Sequence, residues 1–173
     1  MDPPAGSADP GRNQFTVFPS LLPALERLPL SLSIREQLLQ ALVGRLVPVA
    51  SAKGAALLRS PTIPVTREQS PALLVFPESD TIRERPNDRV ERELVIRITA
   101  LARGDDAAQV ADALLVAVHA ALFSDANFGG LALGLKELDT EWDLEDADGT
   151  ACAIPARYQI TYRTFTNDLS RQG

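Results

Sequence analysis

The sequence predicts a single α/β domain of the α+β type, with a mixed, mainly antiparallel sheet of about four to five strands and two main helices packed on one face. Two stretches repeat apolar residues at the three- and four-residue spacing of a helix, and four others have the alternating or short apolar pattern of strands. The chain has 173 residues, which is long enough to bury a core without a disulfide or a metal.

The beginning of the chain is predicted to lie outside the core. Residues 1–13 contain three prolines, two glycines and no periodic apolar pattern, so their contacts would not offset the entropy lost on ordering. We assign residues 1–20 to a flexible N-terminal arm, residues 21–167 to the domain and residues 168–173 to a C-terminal tail. Leucines at helical spacing predict a short helical turn over residues 21–29.

The first main helix is predicted over residues 33–46. Ser33 precedes it as an N-cap, and Glu36 stands three residues later, as in a capping box. Pro48 is expected to end the helix, since proline lacks the N–H that a helix interior requires. The apolar face comprises Ile34, Leu38, Leu42 and Leu46.

The middle of the chain predicts one brief strand and a long loop. Residues 49–59 fit either a strand or a loop. Residues 71–77 form an apolar run bracketed by two prolines, which predicts a strand that ends at those rings. Residues 78–89 mix acidic and basic side chains without an apolar pattern, and we expect a solvated, mobile loop.

The second half predicts a strand, a helix and two further strands. Residues 90–99 alternate, with Leu94, Ile96 and Ile98 on one face, and aromatic and β-branched residues favour a strand over 153–165. Between these strands we expect a helix over 107–123, which is buried on most sides and follows a turn and an acidic N-cap at 104–106. A break at 127–130 ends this region. A further strand is expected over 131–139, where leucines alternate with small or polar residues. The sequence of residues 146–149 predicts a tight turn.

Candidate catalytic residues are few. His119 is the only histidine, and it lies inside the apolar helix, where a structural role is favoured over that of a general base. Cys152 is the only cysteine, which excludes an internal disulfide, and it fits a small apolar filler better than a reactive thiolate. The sequence therefore predicts no enzyme.

No cofactor or metal is predicted. The acidic residues between 139 and 148 lack the spacing of a calcium loop, and a solvated acidic edge fits them better. The glycines near residue 130 match no nucleotide-binding pattern. The apolar stretch 110–123 is too short to cross a bilayer, and the N-terminus lacks the features of a signal peptide. We expect a soluble protein that is not exported.

The formal charge of −6 argues against a nucleic-acid ligand. The best basic group lies between residues 83 and 92, where acidic residues are interleaved. Docking on an oppositely charged neighbour, or an ion-paired surface, is therefore favoured over contact with DNA. The predicted interface residues are Arg83, Arg85, Asp88, Arg89 and Arg92, together with Asp139, Glu141, Asp143 and Glu145.

A family resemblance covers roughly residues 34–165. It rests on the opening helix with Arg35-Glu36-Gln37-Leu38-Leu39, the strand Arg92-Glu93-Leu94-Val95-Ile96-Arg97-Ile98, the buried helix, and the closing strand Tyr158-Gln159-Ile160-Thr161-Tyr162-Arg163-Thr164. This order of elements resembles the tail terminator proteins of long-tailed bacteriophages, the small proteins that cap the tail tube in the lambda-like tail family.

The resemblance implies a homo-oligomeric ring, a hexamer, that caps the tail tube, stops its polymerisation and offers a surface to the head-completion or connector protein. It implies a location in the virion, at the head–tail junction, after synthesis in the host cytoplasm. DNA would pass through the lumen without specific binding. Three alternatives stay open: another phage connector, a minor tail protein, and a small ligand-binding domain or enzyme.

Overall fold

The computed structural model of the chain describes residues 31–85, 87–142 and 151–173. The predicted arm, the helical turn over 21–29 and the turn over 146–149 lie outside these residues. The helices are α1 (Ile34–Ala52) and α2 (Ala107–Phe123), and the strands are β1 (Ala56–Arg59), β2 (Ala72–Glu84), β3 (Arg89–Arg103), β4 (Gly134–Thr140), β5 (Ala151–Phe165) and β6 (Asp168–Gln172).

The strands form one mixed sheet in the order β1-β2-β3-β5-β4, and β6 pairs with the end of β5. Only β1 and β2 run parallel, and every other pair is antiparallel. Strands β3 and β5 pair over fifteen residues without a break, from Arg89 opposite Phe165 to Arg103 opposite Ala151. With the two helices on one face, the α+β class is confirmed.

The core lies between this central pair of strands and the two helices. Helix α1 buries every fourth residue or so, and the covered face of β3 and β5 contributes alternate residues. Burying one large apolar side chain stabilises the fold by about 1.5–3 kcal/mol. The largest fully buried side chains include Leu38, Leu42, Leu46, Leu94, Ile96, Ile98, Leu114, Leu122, Ile154, Tyr158 and Tyr162.

Helix α1 begins as predicted but ends later. The backbone N–H of Glu36 donates to Ser33 Oγ over 3.2 Å, which confirms the N-cap. The prediction that Pro48 ends the helix is wrong, because α1 continues to Ala52. Pro48 lies on the exposed side, where a helix that curves around a core has its weakest hydrogen bonds, and Ala50 beyond it is buried.

Strand β2 corrects two predictions at once. It does not stop at Pro77 but runs to Glu84, so residues 78–84 are strand and only the short turn before Arg89 is loop. Pro77 lies beyond Val75, the last β2 residue paired with β1, so its missing N–H removes no bond to that neighbour. A β-bulge follows at once, between Pro77 and Ser79.

Helix α2 has the predicted bounds, but it is not buried on most sides. One face packs into the core through residues such as Leu114 and Val118, while Val116 on the outer face is 64% exposed. The reason is architectural: one layer of helices on one sheet face leaves the outer side of α2 uncovered by the described residues. Asp106 occupies the N-cap position, but its side chain makes no capping hydrogen bond.

Strands β3 and β5 confirm the two predicted strands over 90–99 and 153–165. Strand β4 begins at Gly134, later than predicted, because the 3₁₀ turn Phe128–Gly130 is followed by a non-strand segment over residues 131–133. The stretch left open between strand and loop contains β1, and the predicted C-terminal tail contains β6.

A buried carboxylate joins four elements at one end of the core. The side chain of Asp80, on β2, is 10% exposed. Its carboxylate accepts from Arg35 Nη1 of α1 at 3.0 Å and from Arg92 Nη1 of β3 at 3.4 Å. The hydroxyl of Tyr162, on β5, donates to the same carboxylate at 3.0 Å. This cluster ties α1 to the three central strands.

We predict that Asp80→Ala lowers the free energy of unfolding by about 3 kcal/mol, because it leaves the largely buried Arg92 and the hydroxyl of Tyr162 without their acceptor. Tyr162→Phe should cost about 1 kcal/mol. Urea denaturation followed by circular dichroism measures both. Thr81→Ala, on the neighbouring exposed residue, is the control and should change the value by less than about 0.5 kcal/mol. An equally small effect of Asp80→Ala would contradict the role given to this cluster.

Candidate functional site

The predicted interface residues fall into two separate places. Arg83 lies near the end of β2, and Arg85, Asp88 and Arg89 lie at the turn between β2 and β3. Asp139 belongs to β4, and Glu141 follows it; Asp143 and Glu145 lie outside the described residues. Among the residues that the structure describes, it does not bring the basic group together with Asp139 or Glu141 within one chain.

Two rows of ion pairs cross the sheet face that points away from the helices. In the first, Glu78 of β2 lies 3.4 Å from Arg97 Nε of β3 and 3.8 Å from Arg157 Nε of β5. Arg157 Nε also lies 3.3 Å from Asp139 of β4. These contacts lack hydrogen-bond alignment at the two Nε atoms, so they are close charge pairs and not directed bonds.

The second row lies nearer the hairpin turn. Arg83 Nη1 is 3.3 Å from Glu93 and 4.0 Å from Glu91, and Arg163 Nη2 donates to Glu91 at 2.9 Å. Arg97 lies six positions after Glu91 on β3, so the rows are about 20 Å apart at roughly 3.3 Å per residue. The second row alternates in sign, whereas the first places Arg97 and Arg157 side by side between Glu78 and Asp139. Each partly exposed pair contributes little stability, on the order of 0–1 kcal/mol.

Arg92 differs from the other predicted interface cations. It lies on the sheet face under the helices, and its side chain is only 15% exposed. Its guanidinium contacts Asp80 and Thr164, so it is held inside the fold. Arg85 and Arg89 are exposed at the turn, and the guanidinium of Arg89 lies 6.0 Å from the ring centre of Phe165.

A groove of about 420 Å³ runs between α2 and strands β4 and β5. His119 stands on its α2 side, with Nδ1 3.5 Å from a carboxylate oxygen of Glu137 on β4 and its ring 4.5 Å from that of Phe123. Apolar and small side chains form the bed of the groove, and polar ones lie among them. The groove is lined by Asp112, Leu115, Val116, His119, Ala120, Glu137, Thr140, Ala156 and Tyr158.

Candidate nucleophiles are few among the described residues of the groove. No serine or cysteine lines it, and the hydroxyl of Thr140 donates to Glu137 at 3.1 Å. Cys152 is buried in the core, and burial raises the pKa of its thiol. Within the described residues, no group of three or more histidine, cysteine or carboxylate side chains is placed to hold a metal ion, and no helix is long and apolar enough to span a membrane.

Tyr158 forms part of the floor of the groove. Burial, with a smaller contribution from the charge of Glu137, raises the pKa of its phenol to about 12. Burial also raises the pKa of Tyr162, assisted by the charge of Asp80. Both phenols therefore remain neutral hydrogen-bond donors across the ordinary pH range.

The sequence did not single out the exposed apolar side chains along this edge of the domain. Val116 and Phe123 lie on the outer face of α2, Leu133 precedes β4, and Trp142, which is 60% exposed, follows it. The available signal was the composition of α2, which is apolar all round. It indicates either a helix buried on every side or one that presents its outer face to a partner.

Comparisons with known proteins do not show the family of this chain. No family model matches the chain, and no curated protein matches it. Among solved structures, it is similar to one chain of the "Virion of native gene transfer agent (GTA) particle", with a TM-score of 0.45 and 18% identity. The alignment covers 78% of this chain and 95% of that chain. At this level of similarity, the assignment of function rests on the residues of the chain itself.

We predict that the folded protein shows no tyrosine ionisation near pH 10. The chain has two tyrosines, Tyr158 and Tyr162, so ultraviolet absorbance reports on these alone. Tyr158 should ionise near pH 12 in the folded protein and near pH 10 in urea. Because the folded pKa is the higher one, this neutral phenol stabilises the fold fully below pH 10, and that contribution is lost as the pH rises towards 12.

The titration has an internal control. Tyr162→Phe should halve the absorbance change and leave the Tyr158 transition near pH 12. Circular dichroism at each pH establishes that the chain is still folded. Ionisation of Tyr158 at pH 10 in a protein with native circular dichroism would contradict the burial described for the floor of the groove.

Proposed function

We propose that the chain is a structural protein of a long-tailed phage and acts there as the tail terminator. Copies form a ring, a hexamer by the resemblance above, that caps the tail tube and stops its polymerisation. The ring offers its other side to the head-completion or connector protein. In this account the protein works by assembly and has no catalytic role.

One observation carries the proposal: the described domain places its charged and exposed apolar groups on broad outer surfaces. Rows of charged side chains cross the uncovered sheet face, a charged turn lies at one end of the sheet, and exposed apolar residues follow the α2 edge. Such surfaces suit contacts between proteins. The sequence resemblance then selects the tail terminator from among assembly proteins.

The size and charge of the chain suit a ring around DNA. A domain of about 150 residues, the size of residues 21–167, has a radius of gyration of about 15 Å and a diameter near 40 Å. Six such bodies leave a central hole of about one body's width, which passes a duplex of roughly 20 Å. The net charge of −6 favours a lumen that does not hold the DNA.

The turn between β2 and β3 is the proposed contact with the tube or with a neighbouring subunit. Arg85 and Arg89 are exposed there, and Arg83 stands beside them on the open face. The acidic group at Asp139 and Glu141, with Asp143 and Glu145, is the proposed second contact. Asp139 belongs to the first ion-pair row through Arg157, whereas Arg83 belongs to the second.

The test of this function is the length of tail tubes assembled in its presence. The tube protein of the same virion is polymerised with and without the purified chain, and lengths are measured by electron microscopy. A terminator shortens the tubes and appears as a ring on one end. Unchanged lengths with the chain bound elsewhere would indicate another minor tail protein, and binding to heads alone would indicate a connector; either result overturns the proposal.

We predict that Arg83→Glu, Arg85→Glu and Arg89→Glu together weaken tube capping at least about tenfold, since several attractive pairs become repulsive. Thermal unfolding should change little, because these side chains are exposed and their pairs are weak. The control is Arg83→Lys, Arg85→Lys and Arg89→Lys, which keeps the charge at the same three positions and should leave capping nearly unchanged. Normal capping by the first variant would exclude the turn as a contact.

A further inference from the structure

We propose that neighbouring copies in the ring join through opposite edges of the sheet, so that the loop after β1 of one copy docks in the α2–β4 groove of the next. The inserted side chain is Ile63. This inference rests on the proposed ring and names the two surfaces that would build it.

The receiving surface is the groove beside His119 together with its surroundings. Its bed is apolar, with Val116 and Ala120 on α2 and Ala156 on β5. Exposed apolar side chains continue past it, at Phe123 and at Trp142. An apolar strip of this kind at a sheet edge is costly in water and gains free energy when a partner covers it.

The inserting surface lies at the other edge of the sheet. Ile63 is 77% exposed, the most exposed large apolar side chain in the described residues. Pro61 and Pro64 flank it and restrict the backbone, so little entropy is lost when the loop binds. The carbonyl of Val65 accepts from Arg103 Nη2 at 3.3 Å, which anchors the loop to the end of β3.

The two surfaces carry opposite charge. Residues 51–67 include three basic residues, Lys53, Arg59 and Arg67, and no acidic one, and Arg103 stands beside the loop; Arg59 is paired with Glu36 of the same chain. Residues 105–142 contain one lysine against seven acidic residues, of which Asp112 and Glu137 line the groove and Asp125 and Asp139 pair with arginines of the same chain. A basic loop that meets an acidic groove orients the two copies and favours their encounter.

The two complementary surfaces lie at opposite edges of the sheet, which permits a ring. Strands β1 and β4 are the outermost strands of the sheet, with β2, β3 and β5 between them. A contact between the β1 side of one copy and the β4 side of the next uses different surfaces on the two partners. Such a heterologous contact leaves both ends open for further copies and closes into a ring when the rotation permits. A symmetric contact of groove on groove would oppose acid to acid.

A cysteine-mixing experiment tests the pairing directly. Ile63→Cys and Val116→Cys are prepared separately, and the buried Cys152 remains in both. After mild oxidation, we expect a disulfide-linked dimer only when the two variants are mixed. Val47→Cys, on an exposed site of α1 outside both surfaces, is the matched control and should link to neither variant.

Two outcomes would overturn the inference. A dimer formed by Val116→Cys alone would mean that grooves face each other, and no linkage in the mixture would mean that the two surfaces do not meet. Tube capping by the wild-type chain is scored separately. If the wild-type chain caps tubes but the two cysteine variants form no disulfide in the mixture, this interface is refuted and the terminator function is not. If the disulfide forms but the wild-type chain does not cap tubes, the terminator function is refuted and the interface is not.

A charge swap gives a second, independent readout. Asp112→Lys and Arg103→Glu should each weaken self-association at least about fivefold, measured as the dissociation constant by analytical ultracentrifugation. The mixture of the two variants should regain the wild-type constant within about twofold, because the reversed charges again attract each other at the mixed contact. Failure of the mixture to recover would contradict the orientation proposed here.

Discussion

The architecture depends on one constraint: a single layer of helices covers a single face of the sheet. Strands β3 and β5 pair over fifteen residues, and the helices seal one side of that ladder with Leu38, Leu42 and Leu114. Each strand alternates its side chains, so every second residue of the same ladder points to the opposite face. The fold therefore leaves three kinds of surface uncovered by the described residues: the second face of the sheet, the outer side of α2 and the two sheet edges. The side chains on each of these surfaces contact either water or a partner.

The uncovered surfaces meet this constraint in different ways. The open sheet face uses charge: Glu78, Arg97 and Arg157 form a row in which each cation faces a carboxylate. The edges also expose apolar side chains. The α2 edge carries Val116 and Trp142, and the β1 edge carries Ile63, all more than half exposed. Ion pairs within one chain explain a soluble face, while exposed apolar side chains at opposite edges are best explained by a neighbouring copy.

The sequence predicted the parts of the fold that follow from local periodicity. The spacing of Leu38, Leu42 and Leu46, the alternation from Leu94 to Ile98 and the bounds of α2 all translated directly into elements. The predictions that α1 ends at Pro48 and that β2 ends at Pro77 were wrong, because the fold tolerates a missing N–H at both positions. Pro48 lies on the exposed side of its helix, and Pro77 lies beyond the end of the short neighbouring strand β1. Strand β6 carries no alternating apolar pattern and forms through its pairing with β5.

The groove could not be predicted from the sequence for a related reason. It exists because β4 adds to the outer edge of β5, next to α2, and this strand order brings Glu137 to His119. No local sequence pattern around Glu137 or His119 indicates that the two residues meet. The apolar outer face of α2 was visible in the composition, but only the number of helix layers decides whether such a face is core or surface.

Native mass spectrometry of the full chain, at a series of dilutions, tests whether copies close into a ring through opposite edges. We expect one dominant assembly, six times the 18.7 kDa mass of the chain, that dissociates without a preferred dimer. A predominant dimer, an unbounded ladder of masses or a monomer at every concentration would contradict it.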